Sequence, residues 1–321
     1  MKRLFIGFAT ASSPELVGDK ILQVGAIYSL FGNIVPESLR ESGLDGDSIT
    51  NTNPVRLTAR QVLKILIRCI FTRSVFFNTY YLGPWFSNFG HFLLESITRI
   101  NTNIIISRYK LLFHTMDTSI PHQKIFQYQE RLLTAIGINR NRIKILINNP
   151  VLIFNSIIVP GNAIFPRELK PAALEVINLI KKSNKRNLDF GERVYLSRQK
   201  LSLDRQRIPK NLSLDLENIF QNYGFKVIHP QELDIQDQIS AISRAKFLAG
   251  LQGSALHLSI FCDPGTKIIE IGDEVQTIFP NTQQKIICNL LSQNFYFIPF
   301  DAVEKAYDFK KIEDLIKTQD F

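Results

Sequence analysis

Cysteine is scarce in this chain of 321 residues: Cys69, Cys262 and Cys288 stand far apart, with no C-x-x-C pair. That excludes a disulfide framework and a thiolate zinc site, and it suits a reducing, cytoplasmic compartment. Long apolar runs are missing too. No stretch of about 18 uncharged apolar residues occurs, which excludes a spanning helix. No internal repeat is visible. Tryptophan occurs once against 24 phenylalanines, a compositional bias without functional content. Acidic residues fall short of basic ones, 29 against 38, leaving a net charge of +9. That surplus suits an anionic partner: nucleic acid, anionic lipid or a phosphorylated small molecule. With 45% apolar and 21% charged residues the chain is an ordinary globular one, neither disordered, collagen-like nor coiled coil.

The length suggests two domains. The opening Met1-Lys2-Arg3 and the short apolar stretch behind it read as a first strand over Arg3–Ala9, since a secretory signal needs more length. The second half alternates cleanly. Strands are expected at Val194–Leu196, Phe225–Ile228, Phe247–Ala249, Lys267–Ile271 and Phe295–Phe300. Helices are expected at Leu212–Tyr223, Asp237–Arg244 and Gln284–Gln293, with Ser254 capping a short helix through Phe261. Such alternation predicts βαβ units and a parallel sheet, whose ligands sit at the carboxyl ends of the strands. The first half gives helices at Asp19–Phe31, Pro54–Phe71, Asn88–Asn101, Gln123–Ile136 and Arg167–Lys182. Its strands are expected at Ser74–Leu82, Ile104–Ser107, Ile143–Ile147 and Ile153–Val159. The polar run Lys181–Glu192 is the best linker. The expected division is an α/β domain over 1–185, a second over 186–300, and a C-terminal helix in 301–321 packing back on the first domain.

Four segments could carry chemistry. In the first, a strand ends at Gly83-Pro84 and a helix starts near Ser87 or Asn88, which puts His91 in the first helical turn. The positive end of a helix disfavours imidazolium, and Glu95 lies one turn on, so the pair can act as a base with an orienting carboxylate. The second is Gly250-Leu251-Gln252-Gly253-Ser254, a glycine turn after a hydrophobic strand, whose N–H groups suit a phosphate and whose glycines also suit a plain tight turn. The third is Arg198, Lys200, Arg205 and Arg207 beyond a strand end, either an anion clamp or a solvated basic loop. The fourth is Arg56, Arg60, Lys64 and Arg68, a basic stripe at i+4 spacing that suits an anionic membrane or a plain solvated face. Asp45-Gly46-Asp47 matches the D-x-D of metal-dependent sugar transferases but has no strand leading into it. No metal and no cofactor is expected.

The order of these segments resembles glycosyltransferase family 61. The likeness rests on Asn88-Phe89-Gly90-His91-Phe92-Leu93-Leu94-Glu95-Ser96, then Tyr195-Leu196-Ser197-Arg198 with further arginines. It continues through Gly224–Leu233, Gln238–Lys246, a glycine turn, Phe261–Gly265 and a strand ending at Glu270. The family's glycine turn reads G-x-H-G-A-x-L-x-N; Gln252, Ser254 and Leu258 depart from it, and the family's arginine pair is loosened into Arg205-Gln206-Arg207. The resemblance implies a GT-B fold of two Rossmann-like domains across a cleft, with the acceptor mainly at the first and a nucleotide-sugar at the second. It implies an inverting displacement without a metal. His91 and Glu95 become the catalytic candidates. Arg198, Arg205, Arg207, Gly250, Gln252, Gly253, Ser254 and Glu270 become donor-side candidates, with Glu270 facing the ribose hydroxyls. Asn88 and Trp85 fall on the acceptor side. The expected role is transfer to a glycan or lipid-linked glycan in bacterial surface polysaccharide synthesis, at the inner face of the plasma membrane.

Two other readings compete. A polysaccharide pyruvyl transferase is suggested faintly by Gly18-Asp19 ahead of Ile21-Leu22, and would use phosphoenolpyruvate as donor. A basic nucleic-acid-binding protein fits the net charge, but the charge is dispersed and no such motif is visible, so no nucleic acid is expected.

Overall fold

The computed structural model describes residues 2–10, 26–38, 56–115, 125–147, 150–160, 171–184, 186, 188, 190–275 and 278–318. It forms two compact units, Met1–Leu179 and Ile180–Phe321. Both mix strands and helices, so the chain is an α/β protein.

The first unit holds β1 (Lys2–Leu4), β2 (Gly7–Thr10), β3 (Ala26–Ser29), β4 (Val75–Trp85), β5 (Lys110–Thr115), β6 (Ile143–Leu146) and β7 (Val151–Val159). The sheet order is β3-β2-β7-β4-β5-β6, with β1 also on β7. β7, β4, β5 and β6 are mutually parallel, whereas β1, β2 and β3 pair antiparallel. Within the parallel part the chain steps outward from β4 through β5 to β6, then returns to β7 on the other side of β4. The order therefore reverses at β4/β7, where an open α/β sheet leaves a crevice at its carboxyl edge. Strand alternation divides the core. Ala9, Ile27, Val151 and Ile153 enter one apolar cluster, and their neighbours Phe8, Ala26, Tyr28 and Leu152 enter another. The second cluster is closed by Val62, Ile65 and Cys69 of the helix Ala59–Phe71.

The second unit holds β8 (Arg193–Leu196), β9 (Lys226–Ile228), β10 (Phe247–Leu251), β11 (Lys267–Ile271) and β12 (Asn294–Ile298), in the order β12-β11-β10-β8-β9. Every pairing is parallel. The order reverses between β8 and β10, so the loops after these two strands flank the unit's ligand crevice. Leu212, Leu216 and Phe220 of the helix Lys210–Asn222 pack with Tyr195, Ala249 and Ile269 of the sheet.

Several expectations need correction. Residues 26–29 of the expected helix Asp19–Phe31 form β3, and its earlier part lies outside the described residues, as do Gly18-Asp19 and Asp45-Gly46-Asp47. Ile104 to Ile106 of the expected strand Ile104–Ser107 belong to the short helix Thr102–Ile106, because the Asn101 side chain caps it by accepting from Ile104 N at 3.0 Å. The strand follows at β5. The first strand breaks into β1 and β2. Ser254 is not a side-chain cap: the 3-10 helix Leu256–Phe261 starts from Ala255 without one. The C-terminal helix Phe309–Thr318 buries Ile312 and Ile316 in the core of the second unit.

Candidate functional site

In the first unit, β4 delivers the chain to the reversal of its sheet. The next residues form a composite helical segment: an α-turn Phe89–His91, a π-turn Phe92–Ser96 and a 3-10 turn Ile97–Arg99, where one regular helix was expected. Asn88 opens it, its side-chain oxygen accepting from Gly90 N at 3.0 Å and His91 N at 3.5 Å. Asn88, expected to meet the acceptor, thus holds the turn that presents His91. The preceding loop is pinned at three carbonyls. Ser96 Oγ donates to Pro84 O, Gln129 Nε2 to Phe86 O and Tyr128 OH to Ser87 O, each at 2.8 Å. Tyr128 and Gln129 come from the helix Gln127–Ala135 and carry no motif by which the sequence could have revealed them.

His91 Nδ1 and Glu95 Oε1 are 2.8 Å apart, with side chains 29% and 7% exposed. A carboxylate accepts, so this contact places the ring proton on Nδ1 and leaves the lone pair on Nε2. The Phe86 ring lies beside the imidazole, centroids 5.1 Å apart. Trp85, expected on the acceptor side, is a core residue: β4 runs through it and turns its indole between Phe92 and Phe113, at 5.0 and 4.9 Å. Buried Arg99 lies under the same strand end. A Cβ on Gly83, whose φ is +77°, would stand 2.6 Å from its Nη1.

In the second unit, Arg198 follows β8 and the glycine turn follows β10, on the two sides of the sheet reversal. Gly253, at φ +132°, lies against Arg198 closely enough that a Cβ would stand 2.8 Å from Nη1. Arg198 Nη2 donates to Arg205 O at 3.0 Å, and its Nε has no partner among the described residues. Burial, then the charges of Arg207 and Arg205, push the Arg198 guanidinium below its usual range despite the opposing pull of Asp273. Positive charge is thus concentrated where an anion would relieve it. Arg205 itself is exposed. Arg207 is tied down, Nη1 donating to the fully buried Asp273 at 3.1 Å. Asp273, two residues beyond β11, was missed by the sequence reading, as was Glu217, which accepts from the Ser197 hydroxyl. Gly250 is buried within β10, and Ser254 is half-buried in the turn.

Glu270 is not the open strand-end carboxylate that the sequence suggested. It is fully buried, with Oε1 accepting from Asn281 N at 2.6 Å and from Gln252 Nε2 at 3.0 Å. Desolvation raises its carboxyl from 4.5 to about 7. Its Oε2 and the Gln252 Oε1 have no partner among the described residues. Glu270 thereby holds the glycine turn to the start of the helix Thr282–Leu290, which Asn281 caps. Gln252, where the family motif has histidine, is fully buried in this clamp.

The basic stripe lies elsewhere on the first unit, with Arg56, Arg60 and Lys64 exposed and Arg68 half-buried. Among the described residues no group of three His, Cys, Asp or Glu side chains is placed to hold a metal ion, and no helix is long and apolar enough to cross a membrane.

No curated protein matches the chain. The family model described as Glycosyltransferase 61 matches residues 89–269, more than half of it. The matched range takes in His91, Glu95, Arg198 and the glycine turn, and stops one residue short of Glu270.

Proposed function

The chain belongs to glycosyltransferase family 61, and on that premise we propose that it moves a sugar from a nucleotide-sugar to a glycan or lipid-linked glycan in the synthesis of a bacterial surface polysaccharide. The reading includes a GT-B architecture, with the donor at the second unit and the acceptor at the first. Arg198 carries it: a partly desolvated guanidinium beside two further arginines, laid on a side-chain-free glycine at the β8/β10 reversal. A diphosphate is the ligand whose charge and oxygens such a fork matches.

The chemistry is a single displacement. The acceptor hydroxyl gives its proton to His91 Nε2 as its oxygen bonds to the anomeric carbon. The bond from that carbon to the phosphate oxygen breaks, and the nucleoside diphosphate departs with the electron pair. Glu95 keeps the ring in the required tautomer and stabilises the imidazolium that forms. Arg198 and Arg205 receive the charge developing on the leaving group, a task that fixed cations perform without reorganising. Inversion at the anomeric carbon follows from a single in-line step.

A panel of nucleoside diphosphates and nucleotide-sugars in thermal unfolding tests the reading. A ligand at a hundred times its Kd stabilises by about 2.7 kcal/mol, a readily measured rise in melting temperature. No response to any member of the panel, with no release of nucleoside diphosphate in the presence of glycan acceptors, would overturn it.

A further inference from the structure

The helix Ala59–Phe71 has two apolar faces, and the sheet covers only one. Val62, Ile65 and Cys69 are buried against the first unit's core. Leu63, Ile67 and Ile70 are 58%, 44% and 64% exposed, and Phe71 at the helix end is 84% exposed. At about 100° per residue, Leu63, Ile67 and Ile70 form one narrow strip along the helix. Arg60, Lys64 and Arg68 form the strip beside it. At the helix start, Leu63 also lines an open groove of about 640 Å³ with Leu30, Phe31, Val62, Leu66 and Arg56. Phe31 there is 79% exposed. The outward surface therefore consists of an apolar strip flanked along its length by cations.

The charge is one-sided over a long stretch. Between Asp47 and Glu95 the sequence has Arg56, Arg60, Lys64, Arg68 and Arg73 and no acidic residue. The helix is formed in its own right. Thr58 Oγ1 accepts from Gln61 N at 3.3 Å while Gln61 Oε1 accepts from Thr58 N at 2.9 Å, a reciprocal cap that needs no partner.

We propose that this face docks the protein on an anionic lipid surface, with Leu63, Ile67, Ile70 and Phe71 entering the interface and Arg56, Arg60, Lys64 and Arg68 meeting lipid phosphates. The side-by-side run of apolar and basic strips is the pattern of a helix lying in the interfacial plane. An acidic protein would satisfy the cations but gives no reason for the parallel apolar strip. Lipid satisfies both.

The test is sedimentation of the full chain with phosphatidylcholine vesicles, with and without phosphatidylserine. Binding is expected only with phosphatidylserine, and it should weaken as salt rises. Two double variants, Arg60→Glu with Lys64→Glu and Leu63→Ser with Ile67→Ser, are each expected to lower the partition coefficient roughly tenfold or more at unchanged melting temperature. In a separate Leu63→Trp variant, the added indole emission should shift to the blue on anionic vesicles, while Trp85 stays buried in the core. Equal binding to neutral vesicles, or binding to neither kind, overturns the proposal. So does insensitivity to the serine substitutions, which would assign the cations to an acidic macromolecule instead. The assay uses no sugar donor, so its result is independent of the transferase reading.

Discussion

Arg198 occupies the space that a side chain on residue 253 would need: a Cβ on Gly253 would stand 2.8 Å from the guanidinium Nη1. At φ +132° the backbone also disfavours any other residue. Gly253→Ala should therefore cost about 1–3 kcal/mol of stability through backbone strain. It should also weaken nucleoside diphosphate binding, because the guanidinium must swing aside. Chemical denaturation and calorimetric titration of the variant measure the two effects separately. A variant with wild-type affinity would show that the contact does not set the position of Arg198.

Removing the guanidinium itself separates binding from folding. The side chain donates only to Arg205 O among the described residues, so Arg198→Ala should change the melting temperature little. Loss of a charge-assisted hydrogen bond to phosphate costs roughly 1.5–3 kcal/mol, or about tenfold to a hundredfold in Kd. Arg198→Lys should recover only part of this, since an ammonium cannot make the forked contact. Titration with a nucleoside diphosphate reads both variants, and unchanged affinity in Arg198→Ala would place the diphosphate elsewhere.

The same cation cluster bears on metal dependence. Arg205 and Arg207 both lie close enough for their charges to act on Arg198. On the proposed reading Arg198 and Arg205 supply the countercharge that a divalent ion gives in D-x-D transferases, since Arg207 is paired with Asp273. Turnover should persist in excess chelator. Activity abolished by chelator and restored by Mg²⁺ or Mn²⁺ would show that the arginines do not suffice.

Glu270 makes stability depend on pH in an unusual direction. Its carboxyl is raised by burial from 4.5 to about 7. Between these values the folded protein holds a proton that the unfolded chain has released. The contribution is therefore fully present below about pH 4.5 and is lost as pH rises toward 7. The displacement corresponds to about 3 kcal/mol at most. Glu270→Gln removes the titration, so the stability of wild type relative to this variant should fall between pH 5 and pH 7 and then level off. Urea denaturation across that range checks it; a difference that stays flat would mean that the carboxyl titrates alike in both states.

What the sequence made legible follows the range of the interactions. The His91–Glu95 pair was readable because i, i+4 spacing keeps two side chains together, even though the intervening turn widens to a π-turn. The parallel sheet of the second unit was readable from alternation alone. The contact between Arg198 and Gly253 was not, since only the adjacency of β8 and β10 brings the two loops together. Glu270 looked like a free strand end because its main donor, the Asn281 amide, arrives from the next connection. The resemblance put Trp85 on the acceptor side, and its burial was not legible because position at a strand end does not reveal which way an indole turns. Ile104-Ile105-Ile106 looked like a strand because a short apolar run fits either state until a cap decides it.

The acid–base assignment is tested by treating His91 and Glu95 differently. If His91 Nε2 takes the acceptor proton, His91→Ala should lower turnover by about 10²–10⁴-fold while nucleoside diphosphate affinity stays near wild type. Its half-exposed side chain leaves little packing to lose, so the melting temperature should also hold. Glu95→Gln keeps the shape of the carboxylate but lets the side-chain amide donate to Nδ1, which moves the ring proton to Nε2 and removes the lone pair that the reaction needs. This variant should lose turnover with little change in the KM for donor, and more of the loss should come from kcat than from acceptor binding. If His91→Ala retains more than about a tenth of wild-type turnover, a loss too small for a general base, the proton goes elsewhere. Glu95 would then be the first alternative, and Glu95→Gln would be the more damaging change. If His91→Ala is inactive and Glu95→Gln is fully active, His91 acts without an orienting carboxylate, and the 2.8 Å contact serves to hold the helical segment.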